Sequence, residues 1–239
     1  MKKFIKRILA LFVLALFLFS VYFGFEYVLP GYNAYKEAVN QKPITEMVEE
    51  IRGQENYTKS SEIPQIYKDA VIAVEDHNFY SHGAVSFVST LRAVFVNFKT
   101  KELKEGGSTI TQQVAKNLYF EMDKTIERKV AEIFLAIELE KIYSKDEIFE
   151  IYVNSIYYGS GYYCIYDAAK GYYGVEPINL TDYQATVLAG VPNAPSVYSP
   201  HNNSELTYQR QRQVVNAMVK YKFIDENKAQ EILKQGNEQ

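Results

Sequence analysis

The hydrophobic pattern divides this chain into one unbroken apolar block and a long amphipathic remainder. Residues 8–25 carry no charged side chain. As a helix rising about 1.5 Å per residue they would span about 27 Å, close to the hydrocarbon thickness of a bilayer. Lys2, Lys3, Lys6 and Arg7 precede the block, and cationic flanks stay in the cytoplasm. The expected arrangement is a single-pass anchor over residues 1–30, with the N-terminus cytoplasmic and everything after Glu26 outside the cytoplasmic membrane. A cleaved signal peptide is the competing reading. Its apolar core would be shorter, roughly 7–15 residues, and would end in an Ala-x-Ala-like site, which Phe19-Ser20-Val21-Tyr22-Phe23 does not offer.

Residues 31–62 are polar and irregular in pattern, broken by Gly31, Pro43 and Gly53. They read as a juxtamembrane stalk with a short helix near 44–51. From Pro64 the apolar spacing is helical nearly throughout, which delimits a domain over 63–239. Thr109-x-x-Gln112, Ser144-x-x-Glu147 and Thr181-x-x-Gln184 fit capping boxes that open helices. Ile126, Val130, Ile133, Phe134, Ile137 and Ile142 recur near a 3.6 period and predict an amphipathic helix over 125–143. Two further helices are expected at 204–221 and 225–235. Gly159, Gly161, Gly171 and Gly174 punctuate the region between, and Pro192, Pro195 and Pro200 mark a loop. Strand signals are weak, so the fold class is mostly α.

The segment 85–98 is apolar apart from Arg92. It fits a core helix or a face that dips into the bilayer interface. The charged tract 99–105 ends in Gly106-Gly107 and reads as a mobile loop.

Composition narrows the function. The chain has 239 residues and a formal net charge of -3, so no basic field recruits nucleic acid. Cys164 is the only cysteine, which rules out an intrachain disulfide. The three histidines, His77, His82 and His201, are too scattered for a His-based metal cage, so a metal would be a hard cation on carboxylates and phosphate oxygens. The 21 tyrosines stand beside no tryptophan. They fit either a packed half-polar helical surface or an amphipathic, membrane-facing rim.

Three clusters could carry chemistry. Glu75 and Asp76 are adjacent, so on a helix they point about 100° apart; one can face a cleft while the other ties down the scaffold. Glu75 ends the apolar run Ala70-Val71-Ile72-Ala73-Val74 and is partly withdrawn from water, which suits general acid/base work. Ser108, Thr111, Gln112 and Lys116 follow two glycines at a predicted helix start. Free backbone N–H groups there, with Lys116 as the cation, suit a phosphate or pyrophosphate. No Lys-Ser/Thr pair follows the glycines, so this is not a Walker A loop. Arg128 and Glu132 share a helix face, either as a surface ion pair or as a second carboxylate and cation in the cleft of Glu75.

Five blocks in order give these residues a family. They are Glu75-Asp-x-x-Phe79-x-x-His82-Gly83, Gly106-Gly-Ser-Thr-Ile-Thr-Gln-Gln-x-x-Lys116-Asn117, Arg128-Lys-x-x-Glu132-x-x-x-Ala136, Lys145-Asp-Glu-Ile148-x-Glu-x-Tyr152-x-Asn154 and Leu188-Ala-Gly-x-Pro192-x-Ala-Pro195. Over residues 60–222 the chain resembles the membrane-bound peptidoglycan glycosyltransferases, which include the glycosyltransferase module of class A penicillin-binding proteins and monofunctional enzymes. The resemblance implies a lysozyme-like helical domain with a head lobe and a small membrane-dipping jaw, the latter matching 85–105. It implies polymerisation of lipid II: a growing glycan on undecaprenyl pyrophosphate is transferred, with inversion, to the 4-hydroxyl of the acceptor N-acetylglucosamine. Glu75 matches the general base and Glu132 the glutamate on the donor side. The substrate-binding positions implied are Asp76, Phe79, His82, Gly107, Ser108, Thr111, Gln112, Gln113, Lys116, Asn117, Lys124, Arg128, Lys129 and Asn154. A divalent cation, magnesium or manganese, is expected with the pyrophosphate, and penicillin-binding transpeptidases are expected partners.

The chemistry is self-consistent. A hydroxyl is a weak nucleophile and needs a base. A departing pyrophosphate develops negative charge and needs fixed donors or cations. It needs no acid, so two carboxylates do not imply hydrolase-style pairing. Four positions depart from the family pattern: Ser86 where an aspartate is common, Lys124 for arginine, Cys164 for glycine and Gln184 for glutamate. The sequence ends without a Ser-x-x-Lys transpeptidase motif, so glycan synthesis without cross-linking is expected. A lytic glycan hydrolase on a similar fold and a catalytically silent wall-synthesis scaffold are the competing readings.

Overall fold

The computed structural model describes residues 2–86, 106–120, 125–202 and 204–236. Its helices are α1 (Lys2–Phe23), α2 (Leu29–Gln41), α3 (Ile44–Arg52), α4 (Gln65–Glu75), α5 (Ile110–Tyr119) and α6 (Ile126–Ile142). They continue as α7 (Lys145–Val153), α8 (Ile165–Tyr173), α9 (Asp182–Gly190), α10 (Pro195–Tyr198), α11 (Ser204–Lys220) and α12 (Glu226–Gln235). No strand occurs among the described residues, as the spacing of apolar positions predicts. The three capping boxes form as expected: Thr109, Ser144 and Thr181 each accept from the backbone N–H three residues on, and each partner side chain reaches back. Each cap contributes about 1 kcal/mol.

α1 is long and apolar enough to cross a membrane, and none of it is buried in the protein. It continues without a break into α2, so one helical rod runs from Lys3 to Gln41 over 39 residues. A π-helical turn at Gly24–Val28 interrupts its regularity, and Leu29 N–H reaches the Gly24 carbonyl. Pro30 lies at the start of α2. It has no N–H for the ordinary i−4 bond and its ring crowds that carbonyl, so the local widening has an identifiable cause.

Residues 31–62 are where the expected stalk gives way to a different arrangement. They are largely helical and join the domain. α2 packs along α6, and Tyr35, Ile44, Val48 and Ile51 enter the main core. The short helix expected near 44–51 is α3. Gly31, read as a break, is instead a contact point. A Cβ there would lie 2.6 Å from the Glu127 carbonyl oxygen and 2.6 Å from Val130 Cβ. Few apolar side chains are needed where two backbones approach this closely, which is why the pattern looks polar. Gly31→Val is expected to pry α2 from α6 and destabilise the domain by about 1–3 kcal/mol. Thermal unfolding checks this, and an unchanged Tm would contradict the close approach.

Two helix groups form the body. α4, α9 and α11 pack on one another, and α5 lies against α6 and α7. A single core joins them, with Tyr67, Val114, Leu135, Ile148, Leu188 and Val214 all buried. α12 adds a small cluster of Val215, Ala229 and Ile232. Tyr67, Tyr152 and Tyr158 are fully buried, and the Tyr67 and Tyr158 hydroxyls meet at 2.5 Å. At these positions the tyrosines serve packing. The proposed jaw segment beyond Ser86, the loop 99–105 and Lys124 lie outside the described residues.

Candidate active site

Glu75 is the last residue of α4, and the chain turns at Asp76. The two carboxylates part there, as their angular separation predicts. Asp76 is buried. One of its oxygens lies 2.6 Å from His82 Nε2, and the other accepts from the Ile110 N–H at 3.1 Å. The start of α5 is therefore already served. Asp76 takes the Ile110 N–H, and the Thr109 hydroxyl takes the Gln112 N–H at 3.1 Å. This corrects the expectation that those N–H groups wait for an anion. The helix dipole that would attract an anion is met by an internal carboxylate, supplied from 34 residues upstream. Sequence spacing does not reveal such a partner.

Several residues expected to bind substrate hold the scaffold. Phe79 is fully buried, with Lys145 Nζ 4.5 Å from its ring centre. The Thr111 hydroxyl donates to Glu140 at 2.7 Å. Asn154 clamps the backbone of Thr58 through both ends of its amide, each at 2.8 Å. None of these, nor Asp76 or His82, lines the cavities beside Glu75. Asn117 lines a different cavity, with Asn56 and Cys164.

Two cavities meet at Glu75. The first, about 230 Å³, is lined by Glu75, Ser108, Gln112, Gln113, Lys116, Lys129 and Glu132, with Pro192 and Asn193. The second, about 300 Å³, shares Glu75, Ser108, Gln113 and Asn193 and adds Gly106, His77, Arg210, Asn216, Lys220 and Tyr221 among others. Gly107 sits in the chain between Gly106 and Ser108. Gln113 Nε2 donates to Glu75 Oε2 at 2.9 Å. The other oxygen, Oε1, is buried with no hydrogen-bond partner. A carboxylate placed this way, partly desolvated and open to two chambers, can accept a proton from a group bound between them.

The first cavity is organised by Glu132, which is 1% exposed in the middle of α6. It pairs with Arg128 and, at 2.9 Å, with Lys129. Glu132 lines the cavity that holds Glu75, and its pairing ties Arg128 to an interior carboxylate, so the two are more than a surface ion pair. Lys129 also donates to the Ser108 hydroxyl at 2.6 Å. The Lys116 ammonium makes no hydrogen bond or ion pair with another described residue. Desolvation, then the Arg128 charge, lowers its pKa, while Glu75 raises it. Desolvation, Arg128 and Lys116 push Lys129 down to about 8. Crowded, partly desolvated cations of this kind are relieved by an incoming anion.

A pH dependence follows. As pH rises through about 8, Lys129 in the free protein loses its proton, well before an ordinary lysine near 10.4. Losing that positive charge weakens anion binding. Affinity for inorganic pyrophosphate is expected to fall between about pH 7 and about pH 9.5. Calorimetric titration across that range checks it, and a flat affinity would contradict the assignment.

The described residues do not by themselves form a site for a metal. No group of three or more His, Cys, Asp or Glu gathers among the described residues, and both oxygens of Glu132 already face cations. Two of the departures from the family pattern are structural. Cys164 caps α8, with burial pushing its thiol up to about 11, and Gln184 completes the box with Thr181. Sequence reasoning missed Asn193 and Arg210. Asn193 lies within the quoted Leu188–Pro195 block, a signal that could have raised it, whereas Arg210 looks like one of several charges on an amphipathic helix.

The chain is similar to known proteins. A family model described as Transglycosylase matches residues 40–219. The chain is 46% identical over 172 residues to penicillin-binding protein 2D of Bacillus subtilis (strain 168), covering 72% of this chain and 25% of that protein. It is 43% identical over 197 residues to penicillin-binding protein 1A/1B of the same organism, covering 81% and 21%. A Cupriavidus necator protein that carries the transglycosylase name is 39% identical over 182 residues, covering 76% of this chain and 78% of its own length. The crystal structure of penicillin-binding protein 1A from Haemophilus influenzae aligns with a TM-score of 0.44 at 20% identity, over 74% of this chain and 17% of that one. The chain thus spans a quarter or less of the Bacillus relatives it matches. With a matching model over most of its length and a 39%-identical relative aligned along most of both chains, the protein belongs to the transglycosylase family.

Proposed function

We propose that this chain is a peptidoglycan glycosyltransferase that polymerises lipid II into glycan strands. One observation carries the reading: Glu75 stands at the junction of two cavities, one of them furnished with Lys116, Lys129 and the Glu132 ion-pair cluster. The donor pyrophosphate occupies the cationic cavity. Lys116, Lys129 and Arg128 neutralise it, and Ser108 and Gln113 contribute polar contacts. The acceptor 4-hydroxyl reaches Glu75 from the other side.

In the reaction Glu75 takes the proton of that hydroxyl. The oxygen forms a bond to the anomeric carbon of the donor, the bond from that carbon to phosphate breaks, and its electron pair leaves with undecaprenyl pyrophosphate. Attack opposite the leaving group inverts the anomeric configuration. The cations stabilise charge as it develops on the leaving oxygen, where fixed electrostatics contribute most. No general acid is required, which matches a Glu132 already committed to two cations. A divalent cation, if used, would be brought on the pyrophosphate oxygens, which suits magnesium better than a protein cage does.

An N-terminal helix long and apolar enough to cross a membrane supports a site that works close to the membrane, where the lipid-linked substrate resides. The cationic flank of α1 supports a cytoplasmic N-terminus and an extracytoplasmic domain. Penicillin-binding transpeptidases are the proposed partners, since the strands require cross-linking.

Product analysis tests the reading. Purified full-length protein is given lipid II in one reaction and isolated cell wall in another. Polymeric glycan from lipid II, with wall left intact, is expected. Soluble muropeptides from wall would favour a hydrolase, and no product from either would favour a scaffold.

A further inference from the structure

We propose that Arg210, seated over Gly190, is a positioning residue that stands as a fixed counter-ion to the Glu75 carboxylate and aims it for proton transfer. The inference rests on the reading of Glu75 as the base. It concerns a residue 135 positions further along the chain, on a helix whose charges look like ordinary surface charges in the sequence.

The carboxylate of Glu75 is incompletely served. Gln113 holds Oε2, while Oε1 is buried and accepts no hydrogen bond. A buried carboxylate oxygen without a donor is costly unless a positive charge stands by. Arg210 Nη2 lies 3.6 Å from Oε1, and the two side chains are only 12% and 13% exposed. That separation is too long for a hydrogen bond and short enough for strong Coulombic support. Arg210 therefore stabilises the charge without occupying the lone pairs that a proton needs.

The guanidinium is itself fixed from several directions. Nε donates to the Gly190 carbonyl at 3.2 Å, and Nη1 donates to Gln213 at 3.1 Å. The Tyr198 ring lies 5.8 Å away. Only Nη2 is left to face Glu75. Its stem crosses α9 at Gly190, where an added Cβ would come within 2.9 Å of Arg210 Cγ and 3.3 Å of Val214. Gly190 keeps an ordinary helical backbone, so its small size, and not its conformational freedom, is what the arrangement uses. α4, α9 and α11 thus build a counter-ion seat behind the base.

Other charges also act on Glu75. Lys116 faces it from α5, Lys129 and Glu132 line the shared cavity from α6, and His77 and Lys220 line the second cavity. Arg210 differs in lying against the carboxylate in the second cavity, whereas Lys116 and Lys129 line the first.

The test compares wild type, Arg210→Met, Arg210→Lys and Gly190→Ala in full-length protein, with thermal unfolding as a fold check. Arg210→Met is expected to lower kcat by about 10-fold to 100-fold, with KM for lipid II changed less than about threefold. The acid limb of its activity profile should move to higher pH by about 1 pH unit or more. Arg210→Lys should recover part of the loss. Gly190→Ala, which keeps the charge but displaces the stem, should shift the same observables in the same direction and carries the test if Arg210→Met does not fold. A loss confined to KM, or an unmoved kcat and acid limb, would overturn the assignment. The carboxyl infrared band of Glu75, identified by subtracting Glu75→Gln, reads the same coupling without turnover. Identical titrations in wild type and Arg210→Met would refute the proposal even if the wild type made no glycan, an outcome that would instead count against the transferase reading.

Discussion

Glu75→Gln is expected to lower the rate of glycan polymerisation by about 10²–10⁴-fold, with thermal unfolding close to wild type. The substitution is nearly isosteric, and an amide oxygen can still accept from Gln113, which donates at 2.9 Å. What disappears is the ability to take a proton. The geometry makes the loss hard to bypass: among the described residues, no other carboxylate lines both cavities. Glu132, the remaining carboxylate of the first cavity, has its oxygens held by Arg128 and Lys129. Initial rates of lipid II consumption measure the effect. A variant within a few-fold of wild type would remove Glu75 from the role of base.

Glu132→Ala is expected to be the most disruptive change for the fold and the donor site together. Glu132 is 1% exposed and sits between two cations. Removing one partner of a buried ion cluster typically costs about 3–5 kcal/mol, because the partners left behind lose their compensation. Arg128 and Lys129 retain 18% and 42% side-chain exposure and can recover some hydration. The low end, about 3 kcal/mol, is therefore expected. Activity should fall as well, since the two cations lose the anchor that points them into the cavity. Denaturant unfolding measures the first effect and lipid II turnover the second. A variant of wild-type stability would show that Glu132 is not the organiser of this cluster.

Much of the fold is legible in the sequence because the signals are local. The capping boxes at Thr109, Ser144 and Thr181 and the 3.6-residue spacing through Ile126–Ile142 each involve residues within a turn or two of one another. The stalk reading of 31–62 failed for a non-local reason. α2 docks on α6 through Gly31, and close backbone approach leaves no hydrophobic signature. The site shows the same division. Glu75, Lys116, Lys129 and Glu132 stand in the quoted blocks and line one cavity. Asp76, Phe79, Thr111 and Asn154 belong to the same blocks, yet the structure turns them inward to caps and core. A block marks residues that the site requires, and both contact and support meet that requirement. The Arg210 contact was illegible because its partner is far away in the chain and the glycine that admits it lies on a third helix.

Lipid II and undecaprenyl pyrophosphate can be followed together in detergent, with full-length wild-type protein and Glu75→Gln side by side. Long glycan strands with one undecaprenyl pyrophosphate released per disaccharide added, from wild type alone, are the expected result. Intact lipid II after incubation with folded wild-type protein, or equal turnover by Glu75→Gln, would contradict the assignment of this cavity pair as a glycosyl-transfer site with Glu75 as its base.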